Sequence, residues 1–289
     1  MNRLKTYLSF VRFSHTVFAL PFALTGALLA LHAGPALTRA AIAWRVLWIL
    51  VAMVAARSAA MGFNRLADAR FDALNPRTAM RELPRGAMSR MEASVFVGMA
   101  SVVFVLAAAQ LGRTCLILSP LALAIVFWYS LAKRITSYTQ LFLALAMAVA
   151  PVGGWLAAGG SAAAWEPWLL GTAIGTWVGG FDILYACQDL EFDRAHGLRS
   201  IPVRFGVRRS LALSRVMHVI AILCLAALAG VADLGRLYLA GVALVAVLLV
   251  YEQSLVSEHD LSQVKRAFDL NGYVGILYFV ATATSIYVR

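Results

Sequence analysis

Long runs without any charged side chain constrain this 289-residue chain more than any other feature. They cover residues 13–38, 93–112, 114–132 and 135–165. Because about 20 apolar residues in a helix span the hydrocarbon core of a bilayer, runs of this length predict transmembrane helices. Charged residues make up only 13% of the sequence, whereas soluble domains contain roughly 25%. The composition therefore excludes an ordinary soluble domain.

The hydrophobic pattern predicts an all-α fold, a polytopic membrane bundle of about nine transmembrane helices within a single domain over residues 1–289. The predicted spans lie near 15–33, 44–63, 93–111, 114–131, 139–158, 168–187, 210–231, 236–254 and 270–288.

Lysine and arginine are concentrated in alternate loops, and this bias predicts the orientation of the bundle. The positive-inside rule places the N-terminus and the loops 64–91 and 188–209 in the cytoplasm, and the C-terminus outside. We therefore expect an integral protein of a bacterial-type inner membrane. The net charge of +11 is spread over loops beside lipid, so it reflects topology and an anion site, and nucleic acid is not an expected partner.

A first polar stripe begins inside the second predicted span. Arg57, Asn64, Asp68 and Asp72 are separated by 7, 4 and 4 residues, so a helix would place them on one face. The basic tail NPRTAMRELPRG, which includes Arg77, follows the stripe, and its prolines and glycine predict irregular backbone.

A second stripe has the same organisation. Asp182, Tyr185, Asp189 and Asp193 follow steps of 3, 4 and 4 residues and precede a basic segment that contains Arg199. Asp182, like Arg57 in the first stripe, lies within an apolar span, where ionisable groups are costly and usually functional.

Acidic residues beside basic loops fit the binding of a diphosphate through Mg²⁺. Magnesium usually takes one or two protein carboxylates and completes its coordination with phosphate oxygens and water, while arginine and lysine neutralise the remaining phosphate charge. The alternative is that these are solvated loops whose arginines only enforce orientation. The predicted metal ligands are Asp68, Asp72, Asp189 and Asp193.

Four segments give the chain a resemblance to the UbiA superfamily of intramembrane prenyltransferases. They are NRLADARFDALNPRTAMRELPRG, YSLAKRIT, DILYACQDLEFDRAHGLRSIPVRFG and KRAFDLNGYVGILYF. The resemblance implies a nine-helix bundle that uses Mg²⁺ to transfer an isoprenyl chain from its diphosphate to an acceptor, often an aromatic one. Asn64, Asp68 and Asp72 match the NxxxDxxxD motif, and Asp189 and Asp193 match DxxxD. Many relatives have Asp directly after the Asn, where this chain has Arg65.

The resemblance also assigns roles to side chains at the cytoplasmic mouth. Arg134 is the predicted ligand of an acceptor carboxylate, although Lys133 and Arg134 could instead be stop-transfer charges. Asp182 is expected to orient or deprotonate the acceptor hydroxyl, or else to pair with Arg57. The predicted diphosphate contacts are Asn64, Arg12, Arg77, Tyr129, Lys133 and Arg199.

The expected substrates are therefore a polyprenyl diphosphate and an aromatic acid. The overall resemblance favours 4-hydroxybenzoate in quinone biosynthesis, and the NRxxDxxxD variant also resembles members that prenylate a dihydroxynaphthoate in a menaquinone pathway. A cation-coupled transporter is the alternative from another class. A transporter would be expected to hold its charges near the bilayer midplane, whereas most of these lie at one mouth.

Overall fold

The computed structural model of the chain is all-α, with no strand in the described residues, which are 3–11, 16–76 and 78–288. The α-helices are α1 (Arg3–Phe10), α2 (Thr16–Ala33), α3 (Arg39–Leu74), α4 (Arg90–Leu111), α5 (Arg113–Ile135), α6 (Thr139–Ala157), α7 (Glu166–Ala186), α8 (Leu190–Ala195), α9 (Ile201–Val231), α10 (Arg236–Ser254) and α11 (Val264–Tyr287).

Seven helical segments of the described chain are long and apolar enough to cross a bilayer, and the protein is an integral membrane protein. They are α3, α4, α5, α6, α9, α10 and the segment Glu166–Ala195 that contains α7. The predicted spans near 15–33 and 270–288 correspond to α2 and α11. Polar residues such as Asp269 and Asn271 lower the hydropathy of α11. The count of nine spans stays a prediction.

Helix α3 is the longest element, with 36 residues, and it extends well beyond the predicted span 44–63 at both ends. It begins at the N-cap Thr38, whose side chain accepts a hydrogen bond from the Ala41 amide at 3.3 Å. The helix continues until Asn75, in extended backbone, ends it. The extra turns carry Asn64, Asp68 and Asp72 on one continuous helix, as their spacing predicted.

The turn segment, residues 75–89, joins α3 to α4, and its described residues, 75–76 and 78–89, contain no regular helix, in agreement with its prolines and glycine. Its end is set by a capping box, in which Ser89 accepts from the Glu92 amide at 3.1 Å and Glu92 accepts from the Ser89 amide at 2.9 Å. A second irregularity lies in α9, where Gly206 has a φ of +76° and kinks the helix.

Close packing of α2 against α6 depends on two glycines. A Cβ added to Gly26 would overlap the Pro151 carbonyl, and one added to Gly154 would overlap the Ala23 carbonyl. Small residues at such contacts let backbones approach, which is a main source of helix association in membranes. The largest buried apolar cluster joins these two helices to α7, α9, α10 and α11.

Candidate functional site

A large cavity of about 1490 Å³ lies between the helices, with walls from α3, α5, α6, α7 and α11. Most of its wall is apolar and made of small or aliphatic side chains, which include Ala52, Ala56, Ala122, Leu143, Ala148 and Gly175. The charged residues of both acidic motifs line the same cavity. The structure therefore brings together two stripes that lie about 120 residues apart in the sequence.

The first stripe reaches the cavity as one face of α3. Arg57, Asn64, Asp68 and Asp72 all line it. Arg57 and Asn64 are half-buried, while both aspartates are buried. At a rise of about 1.5 Å per residue, Arg57 lies about 10 Å deeper along the helix than Asn64. The face therefore offers a carboxylate layer at the mouth and a cation further inside.

Asp68 is held by two cations from the end of α5. Lys133 Nζ donates to Asp68 Oδ2 at 2.6 Å, and Arg134 Nη2 donates to Asp68 Oδ1 at 3.2 Å. The Asp68 side chain is only 5% exposed, against 28% for Lys133. Each carboxylate oxygen thus has its own positive partner, and Lys133 also lines the cavity.

Asp72 is held from the turn segment. Arg81 Nη1 donates to both Asp72 carboxylate oxygens at 2.8 Å. The Thr78 hydroxyl donates to the backbone carbonyl of Asp72 at 3.0 Å. Arg81 and Thr78 line the cavity with Asp72, so the turn segment forms part of the site.

The second stripe begins in α7 and continues through a 3₁₀ turn, Cys187–Asp189, into α8. Asp182, Tyr185, Asp189 and Asp193 all line the cavity. The 3₁₀ turn changes the helical phase between Tyr185 and Asp193, which the regular spacing did not predict. The residues nevertheless face the same space.

Oxygen ligands at the mouth suit magnesium in kind and in number. No group of three or more His, Cys, Asp and Glu within reach of one ion occurs in the part of the chain that the structure describes. Magnesium needs only one or two protein carboxylates when phosphate oxygens complete its octahedron. Asp68 and Asp72 from α3 line one cavity with Asp189 and Asp193, so together they fit a magnesium–diphosphate group better than a bare ion.

The other predicted diphosphate contacts are distributed around the mouth. Tyr129 and Lys133 line the cavity from α5. Arg199 also lines it, with its Nη1 donating to the Ile135 carbonyl at 2.6 Å. Arg12 and Arg77 lie outside the described residues.

Arg134, the predicted ligand of the acceptor carboxylate, contacts α3. It is not among the residues that line the cavity. Its guanidinium donates to the Ala67 carbonyl and to Asp68, and lies 5.6 Å from the centroid of the Phe71 ring. Arg134 thus contacts a carboxylate that lines the cavity, and its role in acceptor binding stays a prediction.

Three charged lining residues, Arg57, Arg81 and Asp269, were absent from the sequence-based set of site residues. Arg57 begins the first polar stripe and lies within an apolar span, which is a signal of function, but the sequence assigned it no substrate. Asp269 lines the cavity from α11, beside Phe268, whose ring packs on Tyr185 with centroids 5.0 Å apart. Asp269 has no partner motif in the sequence, so spacing alone could not have singled it out.

Comparison with known proteins agrees with this geometry. The sequence model of the UbiA prenyltransferase family matches residues 19–280. The chain is 34% identical over 250 residues to the 4-hydroxybenzoate octaprenyltransferase of Citrobacter koseri, covering 83% of each chain. It is 34% identical over 233 residues to the protein of the same name from Edwardsiella ictaluri, covering 78% of this chain and 77% of the other.

Solved structures share the fold over almost the whole chain. A UbiA homolog from Aeropyrum pernix K1, solved without ligand, superposes with a TM-score of 0.84 at 37% identity, over 94% of this chain and 98% of the other. A UbiA homolog from Archaeoglobus fulgidus bound to GPP and Mg²⁺ superposes with a TM-score of 0.73 at 20% identity, over 98% and 100%.

Proposed function

The chain belongs to the UbiA prenyltransferase family, and on that premise we propose that it transfers a polyprenyl chain from polyprenyl diphosphate to 4-hydroxybenzoate. The observation that carries the proposal is one cavity with two acidic motifs at its mouth and an apolar wall beyond them. The names of the relatives at 34% identity support the acceptor. Family membership also decides against the cation-coupled transporter.

The diphosphate binds at the mouth between the two motifs. Asp68 and Asp72 from α3, with Asp189 and Asp193, would hold Mg²⁺ there. Bound magnesium would supply Lewis-acid neutralisation of the diphosphate charge. The GPP and Mg²⁺ in the Archaeoglobus fulgidus homolog support this assignment.

Cations and neutral donors of this chain complete the diphosphate site. Lys133 and Arg81 already donate to the carboxylate layer. Each of these cations can therefore contact a carboxylate and a phosphate oxygen at the same time. Asn64, Tyr129 and Arg199 add donors from three elements. Donors fixed before the reaction stabilise the negative charge that develops on the leaving group as the allylic C–O bond breaks. Arg12 and Arg77 remain proposed contacts.

The apolar wall holds the isoprenyl chain and keeps water from the allylic cation. An electron-rich ring carbon of the acceptor forms the new C–C bond, and the ring then loses its proton. Asp182 also lines the cavity, from α7, and we assign it to the acceptor hydroxyl, which it orients and deprotonates. Tyr129 and Arg57 line the same cavity as Asp182.

Arg57 is the best-placed cation for the acceptor carboxylate. Arg81, Lys133 and Arg199 are assigned to the diphosphate at the mouth, and Arg134 is not among the residues that line the cavity. Arg57 lines it at greater depth, beyond the diphosphate layer. We therefore assign the carboxylate to Arg57 in place of Arg134.

The test is a reconstituted reaction with the purified, full-length protein in detergent or liposomes. Prenyl diphosphates of several lengths are combined with 4-hydroxybenzoate, a dihydroxynaphthoate and a phenol without a carboxylate, and products are identified by mass spectrometry. We expect diphosphate release and a C-prenylated 4-hydroxybenzoate. If only the dihydroxynaphthoate is prenylated, it takes the place of 4-hydroxybenzoate as the proposed acceptor. If no acceptor gives a product, the proposal is contradicted.

A further inference from the structure

Arg65, the residue that replaces the aspartate common in relatives, takes part in a buried ion pair beside the site. Its Nη1 donates to Glu82 Oε2 at 2.9 Å, and both side chains are only 5% exposed. Arg65 follows Asn64 directly and is rotated by about 100° around the helix, and it does not line the cavity. Arg65 therefore contacts the turn segment and not the cavity.

Glu82 is fixed on two sides. Its other oxygen, Oε1, accepts from the Ser9 hydroxyl of α1 at 2.5 Å. The chain neighbours of Ser9 and Glu82, which are Phe10 and Leu83, belong to an apolar cluster that joins α1, the turn segment and α4. A carboxylate in such surroundings needs its partners, because an uncompensated buried charge is strongly unfavourable.

The neighbour of Glu82 in the chain points to the site. Arg81 contacts both Asp72 oxygens at 2.8 Å and lines the cavity. Two adjacent residues thus hold the turn segment. Glu82 binds Arg65 and α1, and Arg81 binds the carboxylate layer. The backbone position of Arg81 follows from where Glu82 is anchored.

From this arrangement we propose that the Arg65–Glu82 ion pair is a positioning device for the diphosphate site. It sets the turn segment so that the Arg81 guanidinium meets Asp72 and the leaving group. Neither Arg65 nor Glu82 touches the substrate. The inference rests on the proposed function in one respect, which is that prenyl diphosphate binds at this mouth, and it is independent of the acceptor.

The test measures KM and kcat for prenyl diphosphate in wild type, Glu82→Gln, Arg65→Gln and Arg65→Lys. We expect both glutamine variants to raise this KM about tenfold or more, the change that corresponds to one lost charge-assisted hydrogen bond, with little change in the KM for the acceptor. Arg65→Lys keeps the positive charge, so its KM for prenyl diphosphate should stay close to the wild-type value. A merely structural role would lower the amount of active enzyme and its thermal stability without changing KM.

Two further variants make the result specific. Glu92→Gln is the matched control, because Glu92 forms an exposed ion pair between α4 and α1, with Arg3 at 2.8 Å. Glutamine also suits a capping box. The KM of this variant for prenyl diphosphate should equal that of wild type. In an Arg81→Gln background, Glu82→Gln should add little, because both changes remove the same contact.

The outcomes separate the two proposals. Independent, multiplicative effects of Glu82→Gln and Arg81→Gln on KM, or an unchanged KM in Glu82→Gln, would overturn the positioning role while leaving the reaction in place. If Glu82→Gln fails to fold, the charge-exchanged variant Arg65→Glu/Glu82→Arg must recover the wild-type KM. Absence of turnover by wild type would overturn the proposed function and this inference together.

Discussion

Removing the charge of Arg57 should weaken the binding of the aromatic acid selectively. Arg57 is half-buried in the cavity wall, about 10 Å deeper than Asn64, and a charge-assisted hydrogen bond in such a place contributes about 1.5–3 kcal/mol. Arg57→Gln should therefore raise the KM for 4-hydroxybenzoate roughly 10- to 150-fold. The KM for prenyl diphosphate should change little, because its partners lie in the carboxylate layer at the mouth.

The assay is steady-state kinetics with each substrate varied in turn, for wild type, Arg57→Gln and Arg134→Gln. Arg134→Gln removes the same charge from a residue that donates to Asp68, so it should affect kcat or prenyl diphosphate binding without selectivity for the acid. The methyl ester of the acid supplies a second control, since Arg57→Gln should hardly change its turnover. A selective loss of acid binding in Arg134→Gln, with Arg57→Gln unaffected, would refute this reasoning and restore the sequence-based assignment.

Further predictions concern packing and topology. Gly154→Ala should lower the free energy of unfolding by about 1–3 kcal/mol, as overpacked contacts do, because the added Cβ would overlap the Ala23 carbonyl. Gly153→Ala is the control: its Cβ would meet no atom within 4 Å, so the same unfolding assay should show no change. Single cysteines that replace Met80, 73% exposed, and Trp165, 72% exposed, should react with an impermeant thiol reagent from the cytoplasmic and the outer side, respectively. Labelling of both from one side would contradict the predicted orientation.

Regular periodicity explains why the first motif could be predicted from the sequence. A spacing of four residues on an unbroken helix fixes a face, so Asn64, Asp68 and Asp72 lie where the pattern indicated. The shared cavity also followed from the chemistry, because two sparse acidic clusters fit one magnesium–diphosphate group.

Contacts across the fold could not be read in this way. The acceptor role predicted for Arg134 rests on its neighbour Lys133 in the sequence. Successive residues on a helix point about 100° apart, and in the structure Lys133 lines the cavity while Arg134 donates to Asp68. The partner of Arg65 depends on how the turn segment folds back, since Glu82 lies 17 residues away, beyond the end of α3. The 3₁₀ turn before α8 similarly has no periodic signature.

The central claim is that both acidic motifs act on one magnesium–diphosphate group. Prenyl diphosphate turnover should cease in EDTA and return with added Mg²⁺. Asp68→Asn and Asp189→Asn should each lose most activity, and the double variant should be scarcely worse than either, as expected for residues that act as a unit. Glu191→Gln, at an exposed position of α8 away from the cavity wall, should keep wild-type activity. Full turnover in EDTA, or in either asparagine variant, would contradict the account.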